Sequence, residues 1–233
     1  MTHLFSVSVI VPVYNEEDSI AQSVLRNINV LEASQCDYEI IVVNDGSNDK
    51  SLSILEQFFA KEECVKIVHS STNGGFGKAV RKGIEIASKE YMLCVPADSP
   101  LTEAIFAKFM ANANSYDMIA SYRKERLGYS WRMKLNSIVY RWLVIAIFDV
   151  RVRDFNWIHL YKRSIFLDPT FTLQSNGIFF LAEVIIQCNR RHYLIGEFEV
   201  EQEMRLTGIA TASKLSSILK TIRELLHFKR TLK

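Results

Sequence analysis

Three short stretches carry side chains suited to nucleotide or metal chemistry: Pro12-Val13-Tyr14-Asn15-Glu16, Asn44-Asp45-Gly46-Ser47 and Pro96-Ala97-Asp98-Ser99. Each directly follows a strand-like apolar run: Ser6 to Val13, Tyr38 to Val43 and Tyr91 to Val95. Singly, each has an ordinary account as a turn or a helix cap. Together they carry more weight. C-terminal tips of parallel strands share one edge, and open α/β sheets bind ligands there.

A fourth stretch, "NGGFGKAVRKGIEIA" from Asn73 to Ala87, enters a helix through glycines. A dinucleotide fingerprint starting at Gly75 would need glycine where Val80 stands, and a P-loop would need Ser or Thr where Ala79 follows Lys78. What remains is either a flexible loop before an amphipathic helix or an anion site. In the second case, backbone N–H groups near Gly75 would act with Lys78 and Arg81.

The elements that must position these residues alternate. Strands are expected at Ser6 to Val13, Tyr38 to Val43, Val65 to His69, Tyr91 to Val95 and Asp117 to Ala120. Between them, Asn15 is expected to cap a first helix. Leu52, Leu55, Phe58 and Phe59 mark a second, Lys78 to Ser88 a third, and Ile105 to Met110 lie on a fourth. That rhythm predicts an α/β fold with a mostly parallel sheet and helices on both faces. After residue 121 the pattern becomes a basic stretch, an amphipathic helix at about 131–148 and a strand or turn near Ile158 to Tyr161. A helix over 177–190, a strand from Tyr193 to Val200 and a basic helix from about 214 complete it. No linker separates the halves, so one domain is expected, with the second half decorating the first.

Composition limits the function classes. With 233 residues, 48% hydrophobic and 23% charged, the chain can bury a core and is not expected to be disordered. A net charge of +2 gives no general pull toward nucleic acid. Cys36, Cys64, Cys94 and Cys188 form no C-x-x-C pair, which predicts reduced thiols, not a disulfide framework or a zinc site. No apolar run is long enough to span a bilayer, and the first residues lack a basic signal-peptide region. A cytoplasmic protein is expected.

In this order, "SVIVPVYNEEDSI", "EIIVVNDGSNDKS", "NGGFGKAVRKGIEIA" and "YMLCVPADSP" resemble the family 2 inverting glycosyltransferases of the GT-A fold. The later "DFNWIHLYKRSIF" and "LAEVIIQCNRRHYLIGEFEVEQEMRLTG" look like the branch that glycosylates dolichyl or polyprenyl phosphate. The resemblance implies a Rossmann-like sheet, with residues 1–120 holding the nucleotide-diphosphate sugar and 121–233 the acceptor. It assigns Pro12, Tyr14, Glu16 and Asp45 to the base and ribose. It assigns Asp98 to the last carboxylate of a D-x-D motif that holds Mg²⁺ or Mn²⁺ on the diphosphate. Pro96 replaces the first carboxylate of that motif, which implies weakened metal binding or a cationic substitute, or a nucleotide-sugar-binding protein without turnover.

Acceptor chemistry then divides. A hydroxyl on a saccharide needs a general base, for which Asp154 is the candidate. A polyprenyl phosphate is largely ionised at neutral pH, its second pKa being about 6, and needs cations instead. By resemblance Arg123 and Arg132 bind that phosphate, joined by Arg205 and Lys214 from a later loop. Glu183 is expected to orient an arginine or form an ion pair. The helices at 131–148 and 214–233 interleave apolar and basic residues. This fits either a membrane interface on the cytosolic face or burial against the sheet or a homodimer partner.

Overall fold

A near-continuous run of Val, Ile and Leu lets a strand bury both of its faces, and that is how the apolar runs are used. The computed structural model of the chain describes residues 5–202 and 215–232. Its strands are β1 (Ser6–Val13), β2 (Asp37–Asn44), β3 (Val65–His69), β4 (Tyr91–Cys94), β5 (Met118–Arg123), β6 (His159–Lys162) and β7 (Ile195–Val200). They form one sheet in the order β3-β2-β1-β4-β6-β5-β7. All neighbours are parallel except β6, which runs antiparallel to both β4 and β5.

Helices cover the two faces. Val7, Val9 and Val11 of β1 point into a core shared with α1 (Ile20–Ala33), α2 (Ser51–Phe59) and α4 (Glu103–Asn112). Ile10, with Ile41 and Val43 of β2, points into the opposite core. That core is built with α3 (Phe76–Ile86), α5 (Trp131–Phe148), the single turn α6 (Ser164–Leu167), α7 (Phe179–Arg190) and α8 (Leu215–Thr231). α8 is tied down by Phe228, whose ring lies 5.8 Å from those of both Phe148 and Phe179.

Two expectations need correction. α1 begins at Ile20 and not beside Asn15, because residues 15–17 are held against the loop after β2 and Asn15 takes a left-handed φ of 56°. The second half does more than decorate the first: β6 and β7 enter the sheet, and β6 separates β4 from β5. The expected fold class stands, and none of the four cysteines forms a disulfide.

At the end of the sheet away from the loop tips, Glu39 clamps three elements. It is 5% exposed and accepts hydrogen bonds from Ser8 Oγ (2.6 Å), Ser88 N (2.6 Å), Ser88 Oγ (2.9 Å) and Lys66 Nζ (2.6 Å). Burial pushes its pKa up, but Lys66, Ser8 and Ser88 outweigh burial and bring it to about 2. A depressed carboxylate contributes stability above its unfolded value and loses it as pH falls through the folded one. Glu39→Ala should therefore cost on the order of 2 kcal/mol at neutral pH, after allowance for the half-exposed Lys66 partner. The variant should also lose part of the stability change between pH 5 and pH 2. Urea unfolding at several pH values reads this; an unchanged acid profile would contradict it.

Candidate active site at the strand tips

The tips of β1 and β2 are locked together by polar side chains. Asn15 N donates to Ser47 Oγ (3.0 Å), and Asn48 N returns a bond to Asn15 Oδ1 (2.8 Å). Glu16 N donates to Ser51 Oγ (2.8 Å), and Glu17 N to Asp49 Oδ2 (3.1 Å). Lys50 N closes the lattice on Glu17 Oε2 (2.9 Å). Pro12 is half-buried below, while Tyr14 stands 44% exposed above. The Glu16 carboxylate accepts from Ser19 Oγ at 2.9 Å. The polar residues of "DGSNDKS" thus build a rigid rim around an exposed aromatic ring, a surface on which a planar base could stack.

Asp45 does a second job here. It is 4% exposed, and its carboxylate accepts from Gly74 N (3.0 Å to each oxygen) and Gly75 N (2.7 Å). Gly46 makes the approach possible: its φ is +71°, and a Cβ there would lie 2.5 Å from the Thr72 carbonyl carbon. Gly75 has φ +98°, and a Cβ would lie 2.4 Å from the Asn176 carbonyl oxygen. The N–H groups expected to meet an anion are therefore largely committed, since Gly77 N also donates to Asn176 O (2.8 Å). Arg81 is committed too: it bonds the Ser175 carbonyl and the Asn176 side chain. Lys78 stays exposed, its stem lying across Gly74.

Beyond the β4 tip, a cavity of about 340 Å³ opens between the sheet edge and helices α5, α7 and α8. Its polar end holds Asp98, Arg123, Arg126, Tyr129, Asn156 and Trp157, and its other walls include Met133, Leu143, Leu181 and Ile222. Arg123 organises the polar end. Its guanidinium stacks 4.4 Å from the Trp157 ring centre, Nε donates to Asp154 Oδ2 (2.8 Å), and Nη1 donates to Tyr129 Oη (3.1 Å). Arg126 Nη2 lies 3.3 Å from Asp154 Oδ1. Cys94 at the cavity wall is no nucleophile, since burial pushes its thiol up to about 12.

This geometry changes three assignments. Asp154 is a buried counter-ion: burial pushes its carboxyl up, yet Arg123 and Arg126 outweigh burial and hold it below the ordinary carboxylate range. With Asn156 N also donating to Oδ1 (3.1 Å), it is poorly placed to accept a substrate proton. Arg132 is outside the cavity lining, exposed and stacked on Trp131 (5.3 Å). Glu183 bonds backbone directly, accepting from Gln174 N and Ser175 N at 2.8 Å each, and acts on Arg81 by charge alone. No three His, Cys, Asp or Glu side chains cluster as a metal site among the described residues. Arg205 and Lys214 lie outside the described residues. Sequence reasoning overlooked Arg126, Tyr129, Asn156 and Trp157. The aromatic residues closely flanking Arg123 and Asp154 were the available signal.

The profile described as glycosyl transferase family 2 matches residues 8–172. An uncharacterised glycosyltransferase of Synechocystis sp. is 32% identical over 126 residues, 54% of this chain and 40% of that protein. The undecaprenyl-phosphate 4-deoxy-4-formamido-L-arabinose transferase of Proteus mirabilis is 32% identical over 134 residues, 56% of this chain and 40% of that protein. The chain thus spans under half the length of these curated relatives. Glucosyl-3-phosphoglycerate synthase from Mycobacterium tuberculosis, solved with Mn²⁺, UDP and phosphoglyceric acid, has the same fold. Its TM-score is 0.73 at 17% identity, over 97% of this chain and 78% of that one. Staphylococcus aureus TarS with UDP-GlcNAc gives 0.61 at 19% identity, over 97% and 66%. The strand order, the converging tips and a profile match over most of its length lead to one conclusion: the chain belongs to glycosyl transferase family 2.

Proposed function

We propose that the protein transfers a sugar from a nucleotide-diphosphate sugar to a polyprenyl phosphate, with inversion. The observation that carries this reading is the cavity, which joins two guanidinium groups to apolar walls and contains, among its described lining residues, one carboxylate, Asp98. A hydroxyl acceptor would need a free base, and Asp154 is already engaged by Arg123 and Arg126. An acceptor phosphate needs none: its ionised oxygen attacks the anomeric carbon while the bond to the nucleoside diphosphate breaks. Arg123 and Arg126 would hold that phosphate at the polar end, and the apolar walls would take the prenyl chain.

Residues 1–120 would carry the donor, with Tyr14 and Asp45 at the base. Asp98 alone does not fit a resident metal ion, beside Arg123 and Arg126 and with no partner carboxylate at Pro96. It does fit Mg²⁺ or Mn²⁺ arriving on the donor, with diphosphate oxygens completing the ligand set. When bound, such an ion would neutralise charge on the departing diphosphate.

An exposed apolar face supports delivery from a bilayer surface. On α5, Trp131 is 69% exposed, Ile138 55% and Trp142 62%, with Arg132 and Lys134 beside them. Among the described residues, no helix is long and apolar enough to cross a membrane. The test is transfer from a panel of UDP- and GDP-sugars to a short polyprenyl phosphate and to free saccharides. Arg126→Ala should raise the KM for the lipid phosphate about tenfold or more while nucleotide affinity stays level. Transfer to saccharides alone, insensitive to Arg126→Ala, would replace the lipid-phosphate reading with a hydroxyl acceptor.

A further inference from the structure

α8 touches two parts of the molecule that the chain otherwise keeps apart. Its Ile218, Thr221 and Ile222 line the cavity. Its half-buried Glu224 turns instead to the loop of residues 175–177, where Oε1 accepts from Gly177 N at 2.8 Å. Lys220 reaches further, its Nζ lying 3.4 Å from where a Cβ on Gly75 would stand. The loop and α8 both lie past residue 172, where the match to the family profile stops.

On its other side the 175–177 loop is fastened to the glycine-rich entry of α3. The Asn176 carbonyl accepts from Gly77 N (2.8 Å), and Arg81 bonds both the Ser175 carbonyl and the Asn176 side chain. The two loops fit without slack. A Cβ on Gly77 would lie 2.4 Å from the Ser175 carbonyl oxygen, and one on Gly75 2.4 Å from that of Asn176. A shift of residues 175–177 must therefore move residues 75–77 with it. From there, Gly74 N and Gly75 N donate to Asp45. An unbroken series of hydrogen bonds and close backbone contacts thus runs from α8 to the tip of β2, the kind of packed network that carries coupling between sites.

We propose that Glu224 is a positioning residue for the nucleotide: by holding Gly177 it fixes the 175–177 loop, and through it the glycine loop that Asp45 grips. α8 then governs nucleotide affinity without touching the nucleotide, and one helix serves both the cavity wall and the donor side. Burial pushes the Glu224 carboxyl up, against the pull of the Gly177 N–H and of Lys220. An acceptor desolvated in this way bonds its backbone partner more strongly than a solvated one would. This role rests on the glycosyl-transfer reading, but not on the nature of the acceptor.

Calorimetry with UDP and GDP on three variants tests it. Gly177→Ala is the most selective, because its Cβ would lie 2.7 Å from Glu224 Oε2 and push the flexible carboxylate aside. It leaves no cavity, and the Gly177 backbone is outside the left-handed region, so alanine is tolerated there. Gly177→Ala and Glu224→Leu should each weaken binding of the preferred nucleotide about tenfold. Glu224→Gln, which keeps an acceptor for Gly177 N, should stay within about threefold of the wild type. By reciprocity, nucleotide should slow hydrogen exchange along α8 in the wild type and in Glu224→Gln, but not in Gly177→Ala. Wild-type affinity in Gly177→Ala and Glu224→Leu would overturn the assignment even if both melt at lower temperature, since Glu224 would then serve only the fold. A tenfold loss in Glu224→Gln would overturn it too, because charge and not the bond to Gly177 would be at work. If the wild type binds neither UDP nor GDP, the glycosyl-transfer reading fails and the positioning role falls with it.

Discussion

Asp154→Ala is expected to lower the unfolding free energy by about 3 to 5 kcal/mol and to abolish sugar transfer. Asp154 and Arg123 are both almost fully buried, their side chains 4% and 2% exposed. Removing the carboxylate leaves a guanidinium in a low-dielectric wall with only Tyr129 and the Trp157 face to stabilise it. Truncation therefore exposes the desolvation cost that the pair had offset. The double variant Arg123→Met, Asp154→Leu should recover much of the stability, because well-packed apolar residues can replace a buried ion pair. It should not recover transfer, since the cation proposed to hold the acceptor phosphate is gone.

The same residue discriminates between acceptors through pH. Held below the ordinary carboxylate range, Asp154 stays ionised through neutral and mildly acidic conditions, and its contribution to stability is lost only as pH falls through that depressed value. The kcat/KM profile should consequently show no limb from Asp154 between about pH 5 and 8. A general base would behave differently: Asp154→Asn would fold normally, lose about 10²- to 10⁴-fold in rate and remove an acidic limb. Chemical denaturation beside a pH–rate profile separates the two accounts.

Asp45→Ala should weaken nucleotide diphosphate binding by about 3 kcal/mol, roughly a hundredfold, through two losses acting together. One is the proposed contact with the N–H groups of the base. The other is the anchoring of Gly74 and Gly75, whose N–H groups the carboxylate holds. Stability should fall as well, by about 1 to 3 kcal/mol. Gly75→Ala isolates the second loss, because its Cβ would drive into the Asn176 carbonyl and displace the loop while the Asp45 carboxylate is kept. Titration of UDP and GDP into both variants decides the role. Equal losses make Asp45 a positioning residue; a much larger loss in Asp45→Ala supports direct base contact; wild-type affinity in both removes Asp45 from the site.

The sequence alone determined what short-range pattern can encode. Continuous apolar runs named β1, β2 and β4, the apolar spacing over 131–148 marked α5, and turn residues behind the strands located the three tips. Those signals are local, because a strand buried on both faces needs apolar residues at every position wherever it sits in the sheet. Side-chain partnership across the fold is another matter. Asp154 reads equally well as a base or a counter-ion until β5 and β6 bring Arg123 to 2.8 Å from it. Asp45 reads as a free carboxylate until residues 74–75 turn back onto it. Arg132 and Arg126 are indistinguishable as cations in sequence, and only the start of α5 puts one on the surface and the other in the cavity. A charge acquires its chemical role from the groups within a few ångströms, and those groups come from segments up to about a hundred residues apart, brought together only when the sheet closes its layers.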